Sequence, residues 1–74
     1  MNVAEIKTYA VQFKNEQDAR RFVRVIRRHG LEARRRGKEV YVAIGDEISL
    51  DLLVRQWAVR TGRSPQYDGY TIVM

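Results

Sequence analysis

The chain has no cysteine, one proline, one histidine and one tryptophan in 74 residues. Without thiols there is no disulfide framework, no zinc knuckle and no cysteine nucleophile, and a reducing cytoplasm is the expected setting. The lone His29 has no second imidazole and no carboxylate pattern beside it. It falls at the end of a helical segment, where a positive charge meets the negative end of the helix dipole, and it reads as a capping residue rather than a metal ligand or a catalyst. No apolar run approaches the ~20 residues that a membrane span needs. The first residues do not follow the basic-then-apolar pattern of a leader, so no membrane partner is expected. A Gly-rich phosphate loop, a His/Glu metal spacing and a Gly-x-Ser-x-Gly turn are all missing. Neither a cofactor, nor a metal, nor an enzymatic activity is expected. A chain of this length accommodates a single domain, 1–74, with a limited core.

What the sequence has in plenty is arginine. Residues 20–38 contain Arg20, Arg21, Arg24, Arg27, Arg28, Arg34, Arg35, Arg36 and Lys38 against one acid, Glu32, a net +8. The remainder holds five bases and eight acids, a net −3, which leaves +5 for the whole chain. Eleven of the fourteen bases are Arg. Its planar fork grips a phosphate or carboxylate through two bonds, which Lys cannot do. An Arg-heavy composition also suits a GC-rich genome or a hot habitat.

The periodicities predict six elements. Residues 5–13 alternate as a strand, with Tyr9, Val11 and Phe13 on one face and Thr8, Ala10 and Gln12 on the other. Asn15 reads as an N-cap, with Glu16 and Asp18 in the first turn of a helix that ends near Arg28 or His29 at Gly30. On its wheel Ala19, Phe22, Val23 and Ile26 share the core face. Arg20, Arg24, Arg27 and Arg28 share the opposite one, with Arg21 beside them.

Residues 31–44 read as a hairpin around Gly37-Lys38, the signature of a type II′ turn. That register sets Arg36 opposite Glu39, Arg34 opposite Tyr41, Ala33 opposite Val42 and Leu31 opposite Ile44, which agrees with the apolar faces of both strands. After the Gly45-Asp46-Glu47 break comes a helix over about 47–61. Leu50, Leu53, Val54, Trp57 and Thr61 face the core, and Ile48, Leu52 and Val59 lie nearly opposite. A turn-rich connector, 63–69, leads to a short strand, Tyr70–Met74. The order β-α-β-β-α-β predicts an α+β, ferredoxin-like fold with two helices on one face of a four-stranded antiparallel sheet.

Three surfaces are candidates for function. The first is the Arg stripe of the first helix together with the Arg34–Lys38 hairpin tip, an expected seat for a polyanion. Nucleic acid, DNA or RNA, leads, because its affinity comes largely from displacing counterions from phosphates. An acidic protein surface is the other partner weighed. That alternative is an interaction or inhibitory module of the kind that viruses and mobile elements encode, using the same basic face or an apolar strip of Ile48, Leu52 and Val59 against an apolar groove. The stripe and the tip need not be contiguous, because Arg34 and Arg36 point away from the helices.

The second candidate is the open sheet face. Single-strand RNA readers of this architecture place stacking aromatics there. The nearest stretch here, Arg36-Gly37-Lys38-Glu39-Val40-Tyr41, has the Arg-Gly of their motif but Lys38 and Val40 at the positions of the two stacking aromatics, which leaves a lone Tyr41 on the face. Pairing with Arg34 through a cation–π contact is the expectation for that ring. The third candidate is Ile48, Leu52 and Val59, an apolar strip expected to form a homodimer interface. An anion cradle like that of small acyl-phosphate hydrolases is not expected, because Lys14-Asn15-Glu16-Gln17-Asp18 follows the first strand and is acidic rather than Gly-rich.

Overall fold

A computed structural model describes residues 6–66 and the backbone of 71–73. The end of the 63–69 connector and the outer residues of the expected last strand, Tyr70 and Met74, lie outside the described residues, as does Glu5 at the start of the first strand. The element order is β1 (Lys7–Gln12), α1 (Glu16–Arg28), β2 (Glu32–Arg36), β3 (Glu39–Ile44), α2 (Glu47–Thr61) and β4 (Thr71–Val73). The protein is α+β. Antiparallel pairing joins β2 to β3 and β3 to β1, and the short β4 backbone pairs antiparallel along the other edge of β1.

Period-two alternation sorts the side chains. Tyr9 and Val11 from β1 and Phe13 just after it, with Val40, Val42 and Ile44 from β3, are buried beneath the helices. Thr8, Gln12, Tyr41 and Ala43 take the opposite, open face and are half-buried. The β2–β3 register runs from Glu32↔Ala43 to Arg36↔Glu39. Gly37 has φ of 61°, and no residue other than glycine has a positive φ among those described. A positive φ at the first turn position alone is what a type II′ turn asks for.

The helices begin and end on local chemistry. Asn15 Oδ1 accepts from Asp18 N at 2.8 Å, and Asp46 Oδ1 accepts from Ser49 N at 2.7 Å, so each helix start has one of its orphan donors satisfied. At the end of α1, Gly30 (φ 78°) donates to Arg27 O and Leu31 to Ile26 O. This is a Schellman closure. The closure holds the Leu31 backbone against the end of α1, so β2 begins at Glu32 and the expected Leu31–Ile44 pair is missing from the ladder. The Leu31 N–H bonds the helix, and its side chain packs half-buried on the core.

The core is one cluster. Ala19, Phe22, Val23 and Ile26 from α1 and Leu50, Val54 and Trp57 from α2 press on the sheet. Phe13, Phe22 and Trp57 form a ring cluster with centroids 5.0, 5.1 and 5.9 Å apart, two of the three contacts edge-on. That geometry suits the aromatic quadrupole. Thr61 departs from its expected core position. It is exposed, and its hydroxyl donates to Trp57 O at 2.7 Å, closing the last turn of α2 instead.

One carboxylate is buried with the apolar residues. Asp18 is 2% exposed. Arg21 Nη1 lies 3.7 Å and Arg63 Nη1 3.2 Å from its Oδ1, and Asn15 Nδ2 donates to its Oδ2 at 3.3 Å. Gln66 N donates to Gln12 O at 2.8 Å. The segment leaving α2 is thereby tied to the β1–α1 junction. Among the described residues no helix is long and apolar enough to cross a membrane.

Candidate nucleic-acid interface

The edge strand β2 organises the basic surface. Its alternation sends Ala33 and Arg35 toward the helix side, and Glu32, Arg34 and Arg36 toward the open face. On the helix side, Arg20, Val23, Arg24 and Arg27 of α1 meet Arg35 along a groove of about 320 Å³. On the open side, Thr8, Glu32, Arg34, Arg36, Tyr41 and Ala43 line a shallow concavity of about 560 Å³. Arg35 borders both. The helix stripe and the hairpin tip, which the sequence leaves unconnected, are therefore continuous around the β2 edge.

Not every cation in this belt is equally available. Arg27 donates from Nε (3.2 Å) and Nη2 (3.0 Å) to Ala33 O, so its fork is closed on the edge strand while its charge persists. Arg20 Nη2 is 3.8 Å from Glu16, and Arg35 Nη1 is 4.0 Å from the same carboxylate and donates to Gly37 O at 3.0 Å. Arg21 faces Asp18. Among the described residues, Arg24, Arg28, Arg34, Arg36 and Lys38 have no carboxylate within 4.0 Å. Within residues 20–38 these five exposed side chains, unlike Arg27, keep their charged groups clear of both carboxylates and the backbone of the described residues.

Tyr41 stands directly across from Arg34 in the ladder, half-buried on the open face. The expected cation–π contact is not made, since the ring contacts among the described residues are confined to Phe13, Phe22 and Trp57. Its ring and the Arg34 fork both border the concavity separately. Among the described residues no group of three His, Cys, Asp or Glu is placed to hold a metal ion. His29 is exposed at the C-terminal end of α1, its N–H bonded back to Val25 O and Ile26 O.

No known family, curated protein or solved structure matches this chain. The site therefore has to be read from its own chemistry. The sequence leaves two features of it unread. Asp18 looks like any acid in a first helical turn, and only the long-range approach of Arg63 shows that it is a buried anchor. Arg63 is committed to that anchor. Arg35 is the second. The alternation that makes it share a face with Ala33 was legible, but its proximity to Arg20 and Arg24 needs the packing of α1 on the sheet.

The apolar strip lies elsewhere. Ile48, Leu52 and Val59 are 76%, 56% and 87% exposed on α2. Leu52 and Val59, with Arg55, Gln56 and Arg60, border a depression of about 530 Å³.

Proposed function

We propose that this chain is a non-enzymatic, ferredoxin-like domain that binds nucleic acid through the sugar-phosphate backbone, along the basic belt that wraps the β2 edge. The observation that carries the reading is that Arg24, Arg34 and Arg36 line two faces joined at Arg35, flanked in sequence by Arg28 and Lys38, with no carboxylate partner for any of these five among the described residues. Guanidinium forks at successive positions of an exposed strand suit phosphates, which lie in a row and each accept two bonds. Arg20 and Arg35 reinforce the belt, because a phosphate competes with the single Glu16 that they share. Arg27 contributes charge and shapes the groove. Tyr41 offers one ring beside Arg34, enough to stack a single unpaired base but not to read a sequence. The strand order β2-β3-β1-β4, with both helices packed on the face opposite the concavity, supports the ferredoxin-like description and leaves the open face to the ligand.

Fluorescence anisotropy with labelled single- and double-stranded oligonucleotides at low salt tests the reading. Saturable binding that a matched charge of poly-glutamate fails to displace is the expected result. No binding to either oligonucleotide would remove the reading, and equal displacement by poly-glutamate would transfer the belt to an acidic protein partner.

A further inference from the structure

We propose that α2 is the surface through which two copies of this chain associate, and that they do so antiparallel, with Ile48 of one copy against the partner's Val59. This rests on α2 alone and does not depend on the nucleic-acid reading.

Three of the four large hydrophobic side chains exposed among the described residues, Ile48, Leu52 and Val59, belong to this one helix. At 100° per residue they fall within 40° of one another, directly opposite the buried Leu50, Val54 and Trp57. They run along about 16 Å of the helix. Scattered exposed aliphatics are ordinary on a small protein, but a line of three on the outer face of a well-formed helix is a seam.

The charges identify what covers it. The first half of α2 and its cap are acidic, with Asp46, Glu47 and Asp51, and the second half is basic, with Arg55 and Arg60. A second copy laid parallel would set acid beside acid and base beside base, with the helix dipoles aligned. Laid antiparallel, each acidic end meets a basic one and the dipoles oppose, which favours that arrangement on both counts. With Ile48 opposite the partner's Val59, Leu52 falls near the two-fold axis, beside the partner's Arg55. The Asp51–Arg55 pair, bonded at 2.6 Å within one helix, then lies against its own symmetry mate. The two pairs make a ring of alternating charge at the centre of the seam. A closed two-fold contact of this kind uses the same patch twice and ends the assembly at two.

Sedimentation of the full chain across a concentration series reads the assembly. The expected result is a monomer–dimer equilibrium for wild type and a monomer for Leu52→Glu, with unchanged circular dichroism. Asp51→Arg and Arg55→Asp are each expected to weaken self-association at least tenfold, and an equimolar mixture of the two to form a 1:1 heterodimer. Orientation is read by crosslinking, which is clean because the chain has no cysteine. A mixture of Ile48→Cys and Val59→Cys chains should give the mixed disulfide under mild oxidation, and Ile48→Cys alone should give little. A wild-type monomer at every concentration overturns the proposal. So does efficient crosslinking of Ile48→Cys to itself, which would mean a parallel seam, or a dimer that Leu52→Glu leaves intact, which would place the contact elsewhere.

Discussion

Replacing Arg24, Arg34 and Arg36 together with glutamine should flatten the salt dependence of nucleic-acid binding, by an amount that follows from the geometry. Among the described residues, five cations within 20–38, Arg24, Arg28, Arg34, Arg36 and Lys38, have neither a carboxylate partner nor, like Arg27, a fork closed on the backbone. If each neutralises one phosphate, log Kobs falls against log salt with a slope of about −3.5 on a single strand or about −4.5 on a duplex. Raising the salt from 50 to 200 mM then weakens wild-type binding roughly 100-fold on a single strand and roughly 500-fold on a duplex. The triple substitution removes three of the five contacts and should leave slopes of about −1.4 and −1.8. Arg21→Gln is the informative comparison. Arg21 belongs to the same helix and carries the same charge, but it faces Asp18, so its loss should leave the slope where it was. Anisotropy titrations at five or so salt concentrations resolve these differences. A triple variant with the wild-type slope, or an Arg21→Gln effect as large per residue, would refute the idea that pairing within the domain decides which arginines bind.

Two further outcomes follow from the carboxylates. Asp18→Asn should cost about 1–2 kcal/mol, because the arginines it leaves are half-exposed and return to water. Arg21→Gln with Arg63→Gln should cost about 3–5 kcal/mol, because it strands a buried charge, and urea unfolding followed by Trp57 fluorescence should show that order; equal losses would mean that Asp18 is not the buried partner. At the other helix start, hydrogen bonds from the Ser49 backbone and hydroxyl hold the Asp46 carboxyl below its ordinary value of 3.8. The group's lowered value in the folded state means that its stabilising effect is present above that pH and lost as pH falls through the lowered value. The stability advantage of wild type over Asp46→Ala, measured by circular dichroism between about pH 5 and 2, should therefore shrink toward the acid end; a constant difference would count against the cap.

Much of the local structure was legible because it is written in short-range terms. Asn15 and Asp46 announce the helix starts, Gly30 and Gly62 their ends, and the matched alternation around Gly37 fixes the hairpin register to the residue. The exposure of Ile48, Leu52 and Val59 followed from the wheel of α2. What escaped depends on groups distant in the chain or on how a helix end closes. Thr61 sits on the core side of the wheel, but at the last turn its hydroxyl bonds back to the carbonyl of Trp57 one turn earlier. Leu31 fits the strand pattern, yet the bond from its N–H to Ile26 O holds its backbone against the end of α1. The division of the arginines into paired and unpaired sets rests on where Glu16 and Asp18 reach, which alternation and wheels do not encode.

The bond from Arg27 to Ala33 O bears on how the molecule avoids polymerising. Counting from the turn-closing Arg36–Glu39 pair, every second residue of β2 turns its N–H and C=O outward, which places Arg35 and Ala33 on the free margin of the sheet. A bare margin is a template on which a stray chain can add a strand. Here one of its acceptors is already plugged by a side chain from the neighbouring helix, and guanidinium groups crowd both flanks. Strand-by-strand stacking at that margin would have to expel Arg27 and bring like charges together, so any growth of fibrils from this protein should begin elsewhere.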